Sequence, residues 1–251
     1  MSRIGFWGVL GTAALVIIGG LIAYVWIPHT QRGPDESLFS AWCRAWGVPK
    51  SWLTDAPVAP QPTSSVVLDH QLLSAPTAYD VGHGATLALR CTMCHGPTGI
   101  SYANSPNLAG QYAAVVYKQL RDYQSGIRSS AIMTPMARSL SDADIRQLAY
   151  YYASLPRPQN AHLSDTVPAI VKWGAPMRNI APCGSCHGDI DHTQASPWLG
   201  GEPANYIRTE LLAFASGERT NDINAQMRDM ARGLSQSEIE EAAAYYAGNH
   251  P

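Results

Sequence analysis

Two short runs in the 251-residue chain place thiols and an imidazole at fixed spacing: Cys91-Thr-Met-Cys94-His95-Gly96 and Cys183-Gly-Ser-Cys186-His187-Gly188. Cys-x-x-Cys-His is the attachment signature of c-type haem. The two thiols form thioethers to vinyl groups on one edge of the porphyrin, and the adjoining histidine reaches over its face to the iron. A Cys-x-x-Cys pair alone also reads as a redox dithiol or half of a zinc site. Histidine directly after both pairs favours haem over either. The expectation is two covalently attached haem c groups, with Cys91, Cys94, Cys183 and Cys186 as thioether sites and His95 and His187 as iron ligands.

The opposite face of each haem needs a ligand or a vacancy. Met133 follows His95 by 38 residues and Met227 follows His187 by 40; each stands seven residues before a Leu-Ser pair. A thioether is soft and favours ferrous iron, so His/Met ligation raises the reduction potential. Met136 and Met230 recur one helical turn later and compete by position, although core packing is the commoner use of such residues. The remaining histidines have no matched spacing and read as surface groups.

The elements that position these residues are duplicated. Pro106-Asn-Leu108-Ala-Gly110 returns as Pro197-Trp-Leu199-Gly-Gly201, and Ser125-Gly126-Ile-Arg128 returns as Ser216-Gly217-Glu-Arg219, both at an offset of 91. Met133 to Leu140-Ser141 returns as Met227 to Leu234-Ser235 at an offset of 94. Such a repeat means two tandem units, expected over 79–156 and 157–251, with Pro156-Arg157-Pro158 opening the connection. Both units read as all-α. Apolar residues recur at helical spacing through Tyr112–Tyr123 and Tyr206–Phe214, and Gly126 and Gly217 stop those helices. Ser141-x-x-Asp144 and Ser235-x-x-Glu238 are capping boxes opening a last helix, whose buried stripe is Ile145, Leu148, Ala149 and Tyr152, or Ile239, Ala243 and Tyr246.

The N-terminal part differs in composition. Ile4 to Ile27 is 24 residues without a charge, long enough to span a hydrocarbon core of about 30 Å at about 1.5 Å per residue. The run is too long for the apolar core of a cleaved signal and lacks its small-residue exit, so residues 1–30 are expected to be a transmembrane anchor. Residues 31–78 are proline-rich and read as a linker. Within it, Leu38, Phe39, Trp42, Ala45 and Trp46 share one helical face, suited to a membrane surface, a partner, or the protein's own body. Cys43 lies on this island as a buried small residue, a lipidation site or a cross-chain site. Basic residues number 17 against 19 acidic ones, which argues against a nucleic-acid partner.

Over about residues 79–250, the motifs Cys-x-x-Cys-His-Gly, Pro-x-Leu-x-Gly, Gly-x-Arg and Met-x-x-Met-Ala-x-x-Leu-Ser make the chain resemble tandem class I cytochromes c, similar to the dihaem cytochrome c4 family. The resemblance implies that Met133 and Met227 are the axial ligands. It further implies that Pro106 and Pro197 offer their carbonyls to the histidine Nδ1–H, fixing the imidazole. By their place in the motif, Arg128 and Arg219 face haem propionates or end their helices in solvent. The anchor, the tether and Glu202-Pro203 in place of Gln111-Tyr112 depart from the soluble members; the last is expected to alter hydrogen bonding around the second haem. The implied activity is electron transfer in a respiratory chain without catalysis, from the periplasmic face of a bacterial inner membrane. The expected role is as a subunit of, or direct donor to, a terminal oxidase, with a cytochrome bc complex or membrane dehydrogenase as other partners. Accepting electrons from a periplasmic alcohol or aldehyde dehydrogenase is the alternative, and a dihaem peroxidase or reductase is the alternative of another class.

Overall fold

The structure is a computed structural model in which residues 19–22, 24, 37–48, 62–158, 166–187 and 196–248 are described. The chain divides into two compact units, Met1–Pro60 and Gln61–Pro251, so the division falls inside the stretch expected as a linker.

In the first unit, α1 (Leu38–Ala45) buries Ala41 and Cys43 and exposes Leu38 and Phe39. Phe39 and Trp42 of this helix and Trp46 just beyond it stand at i, i+3 and i+7, and their rings meet in sequence. Tyr24 packs edge-on against Trp42 at 5.3 Å between centroids. Cys43 is a free thiol. Among the described residues no helix is long and apolar enough to cross a membrane. The span expected over 4–27 lies outside the described residues, apart from 19–22 and 24, which are helical and exposed.

The second unit is built from helices, and among its described residues the sole extended pairing is an isolated bridge between Ala175 and Ile180. Its first half contains α2 (Ala78–Ala88), α3 (Thr92–His95), α4 (Ala113–Ser125), α5 (Met133–Arg138) and α6 (Asp142–Ser154). The second half contains α7 (Ala169–Lys172), α8 (Gly184–His187), α9 (Ala204–Ser216), α10 (Gln226–Arg232) and α11 (Gln236–Ala247). Both expected capping boxes form: Ser141 accepts from Asp144 N–H while Asp144 accepts from Ser141 N–H, and Ser235 and Glu238 do the same. Gly126 and Gly217 close α4 and α9 in the left-handed region, at φ 85° and 79°, where a side chain would be strained.

Each half has its own core. Ile145, Leu148, Ala149 and Tyr152 of α6 pack with Val116 and Tyr117 of α4 and with Leu72 and Ala88. Ala242, Ala243 and Tyr246 of α11 pack with Ile207 of α9 and with Ile170, Val171 and Ile180. Each large apolar side chain buried this way contributes about 1.5–3 kcal/mol. Helices α2 and α6 cross closely because Gly84 lacks a side chain: a Cβ there would lie 2.1 Å from the Gln147 carbonyl oxygen and 2.8 Å from Tyr151 Cβ. The halves are not identical. Where the first opens with eleven residues of α2, the second opens with the four of α7.

Candidate functional site

The Cys-x-x-Cys-His runs occupy one-turn helices at matching places in the two halves. His95 ends α3 and His187 ends α8. His95 Nδ1 lies 2.8 Å from the Pro106 carbonyl oxygen, and His187 Nδ1 lies 2.9 Å from that of Pro197. A carbonyl only accepts, so each Nδ1 carries the ring proton and each Nε2 keeps its lone pair for a metal. Burial pushes both histidines below their ordinary pKa, against the opposing effect of the carbonyl bond. Both rings are therefore neutral donors, fixed in tautomer and orientation.

The four motif cysteines are free thiols. Burial raises Cys91, and it raises Cys183 to about 11. Redox-active dithiols are tuned the opposite way, toward thiolate. No cluster of three or more His, Cys, Asp or Glu side chains suited to a metal ion occurs among the described residues. Tyr152 lies beside Cys91 and Tyr246 beside Cys183; the Tyr246 hydroxyl is buried without a hydrogen-bond partner. Thiols three residues apart, an imidazole with a free Nε2 and this orphaned hydroxyl fit haem c.

Met133 opens α5, with its N–H held by Ser130 Oγ at 3.2 Å, and Met227 lies in the first turn of α10. Both are half-buried. Their neighbour Met230 packs against the second core, and its sulfur accepts the Ala181 N–H at 3.3 Å, so that thioether already has a structural use.

Arg128 and Arg219 come together with one carboxylate between them. Arg128 Nη2 meets Glu210 Oε1 at 2.7 Å and Arg219 Nη1 meets Oε2 at 2.6 Å. Burial opposes ionisation of Glu210, but the two guanidiniums outweigh it and hold the carboxyl below its ordinary pKa. Arg128 is buried rather than ending its helix in solvent, and Glu210 is a partner that motif reasoning did not anticipate.

This triad belongs to a polar seam joining the halves. Lys118 Nζ donates to Asp122 Oδ2 and to the Asn221 carbonyl, while Asn221 Nδ2 and Ser64 Oγ donate to the same carboxylate. Arg228 pairs with Asp222 and reaches the Pro62 carbonyl; Thr63 Oγ1 donates to the Asp222 carbonyl. Residues 62–64 are thus sewn into the seam. The loops that orient the two histidines also meet there. Gln111 takes both backbone groups of Trp198, at 3.0 and 2.8 Å. Asn107 donates its N–H to Glu202 Oε2 at 2.8 Å and its amide to the Gly201 carbonyl at 2.6 Å. Arg157 lies over the Tyr112 and Trp198 rings and donates to the Gly110 carbonyl. Glu202, expected to act around the second haem, is placed instead on the first half's loop, because its side chain crosses the seam.

A family model described as cytochrome c matches residues 81–156. The chain is 35% identical over 179 residues to the thiosulfate dehydrogenase electron acceptor of Stutzerimonas stutzeri (strain A1501), covering 67% of this chain and 83% of the relative. It is 36% identical over 166 residues to cytochrome c4 of Thiocapsa roseopersicina, covering 63% and 86%. The solved structure of reduced recombinant cytochrome c4 from Pseudomonas stutzeri superposes with a TM-score of 0.62 at 31% identity, covering 68% of this chain and 98% of that one. Relatives of this identity matched over most of their length, with a like fold in a solved member, show that the chain belongs to the cytochrome c4 family: electron-carrying cytochromes with covalently bound haem c, not catalytic enzymes.

Proposed function

We propose that the chain is a two-haem electron carrier that takes electrons from a periplasmic dehydrogenase and passes them toward a terminal oxidase, held at the inner membrane by residues 1–30. The observation that carries the two-haem reading is the repeated bond from histidine Nδ1 to a proline carbonyl, in two loops that meet across one seam. Haem c bound at each site supplies a one-electron couple at iron.

Everything else is assigned to the chain's own residues. Cys91 and Cys94, and Cys183 and Cys186, fix the cofactor covalently. His95 and His187 bind the iron through Nε2, while Pro106 and Pro197 hold the ring protons and raise ligand basicity. Met133 and Met227 would offer their thioethers to the iron and so close it to exogenous ligands. Arg128 and Arg219 would receive the propionates; with Glu210 they form a triad with one surplus positive charge.

A dehydrogenase as donor is supported by the relative named as a thiosulfate dehydrogenase electron acceptor. The terminal oxidase rests on the apolar N-terminal run and the aromatic island, which suit a carrier kept close to membrane complexes. Purifying the tagged chain from native membranes in mild detergent, followed by mass spectrometry, tests both ends. Stoichiometric oxidase or dehydrogenase subunits support the reading. Extraction of the protein alone by a salt wash, without detergent, contradicts the anchor.

A further inference from the structure

Gln111 and Glu202 occupy the same place in the two halves. Each follows the closing glycine of its Pro-x-Leu-x-Gly loop, and each donates its backbone N–H to the loop leucine, Leu108 or Leu199, at 3.2 and 3.1 Å. The preceding glycines also match: Gly110 N–H bonds the Tyr152 carbonyl and Gly201 N–H that of Tyr246, at 2.8 and 2.7 Å. Each side chain then reaches across the seam to the partner residue that follows the histidine-orienting proline. Gln111 serves Trp198 with both ends of its amide, accepting from the N–H and donating to the C=O. Glu202 accepts the Asn107 N–H. Asn107 adjoins Pro106, whose carbonyl holds His95.

The two roles differ in one respect. An amide has a donor for the partner's carbonyl, whereas a carboxylate has none. A carboxylic acid restores it, and is close to glutamine in shape. Glu202 is 4% exposed, and no cation is hydrogen-bonded to it among the described residues. The ionisable side chains on the surrounding elements have other engagements. Arg157 bonds the Gly110 carbonyl between two rings, Arg208 on α9 is held by Glu240, Tyr246 lies against the second core, and His95 and His187 bond their prolines.

We propose that Glu202 is a neutral carboxylic acid standing in for glutamine, and that its proton follows the electron on the first half's haem. In the pH range where the acid titrates, an electron delivered by the donor draws a proton from water onto Glu202, and its departure returns that proton to water; at lower pH the acid stays protonated throughout. Burial opposes ionisation more strongly than the Asn107 N–H favours it and pushes the carboxyl up to about 8, so the exchange falls near and just above neutral pH. The charged form stabilises oxidised iron, so the potential drops as pH rises. This inference rests on His95 and His187 each holding a haem.

The experiment is a potentiometric titration of the full-length holoprotein at several pH values from 6 to 10, for wild type, Glu202→Gln and Gln111→Glu. In wild type, one of two one-electron steps is expected to move by about tenfold in its oxidised-to-reduced ratio. That is the size expected of one charge on the order of 10 Å away at an effective dielectric of about 20. Glu202→Gln abolishes this movement and keeps both steps, while Gln111→Glu installs it on the other step. An infrared band of a protonated carboxyl at pH 7, present in wild type and missing from Glu202→Gln, reports the acid independently of redox activity. A wild-type titration flat with pH, an unchanged slope in Glu202→Gln, or no such band overturns the proposal. Fewer than two one-electron steps in wild type instead overturns the two-haem reading beneath it.

Discussion

Replacing Asp122 by asparagine removes one negative charge from the centre of the seam while preserving the side chain's shape. The Asp122 carboxylate is fully buried and receives Lys118 Nζ at 2.6 Å, Asn221 Nδ2 at 2.7 Å and Ser64 Oγ at 2.6 Å. Asparagine offers one oxygen where the carboxylate has two, so at least one of these donors meets an NH2 group. Lys118, itself buried, loses its counter-charge. Removing one partner of a buried ion pair costs about 3–5 kcal/mol, and hydrogen bonds to charged groups are worth about 1.5–3 kcal/mol each; because the terms overlap, we expect a loss of about 4 kcal/mol. With a urea m-value of about 2–3 kcal/mol/M, this lowers the midpoint by roughly 1.3–2 M. The assay is urea unfolding of the holoprotein followed by circular dichroism. Lys118→Met added to Asp122→Asn removes the stranded ammonium and should recover about half of the loss, a coupling the double-mutant cycle measures. The pH dependence has a defined sign. Burial already lowers Lys118 below its ordinary pKa, against the pull of Asp122, and loss of the carboxylate lowers it further. Between that value and 10.5 the native variant binds fewer protons than the unfolded chain, so its stability rises with pH. A loss below about 1 kcal/mol, or a double variant no more stable than Asp122→Asn, refutes the reasoning.

Gly84→Ala should destabilise the first half by about 1–3 kcal/mol through overpacking against α6. Gly82→Ala, where a Cβ has open space, should be neutral or stabilising by up to about 1 kcal/mol; thermal melting separates the two. Ser141→Ala and Ser235→Ala each remove a cap and should cost about 1 kcal/mol, read as a lower urea midpoint. Met133→Ala or Met227→Ala should lower one potential and admit carbon monoxide to one haem, leaving the other unchanged; unaltered spectra for both variants would remove these methionines as ligands.

Local signals carried most of the helical reading. The last helix of each half was visible in its capping box and apolar stripe because both lie within a few residues of the elements they specify. The helix α2 was less visible, since Gly82 and Gly84 dilute helix propensity; its Thr77-x-x-Asp80 box, which forms, was the available signal. Pairings across the seam were illegible for a different reason. Lys118 and Asp122 stand four apart on α4, a spacing usual for a solvated surface pair, and only tertiary packing reveals that they are buried. Asn107 and Glu202 lie 95 residues apart, and no periodicity links them. Glu202 against Gln111 is visible as a difference between the repeats, but the repeat alone does not show that each side chain serves the other half. The pairing of Arg128 and Arg219 with Glu210 is hidden in the sequence, because Glu210 stands in no motif.

The proposed function is that of an electron carrier with two haem sites acting together in one chain. Potentiometric titration of the purified holoprotein, counting electrons per polypeptide from the haem absorption, tests it most directly. Two one-electron steps per chain are predicted. A single one-electron step, with the second site silent, would contradict the account.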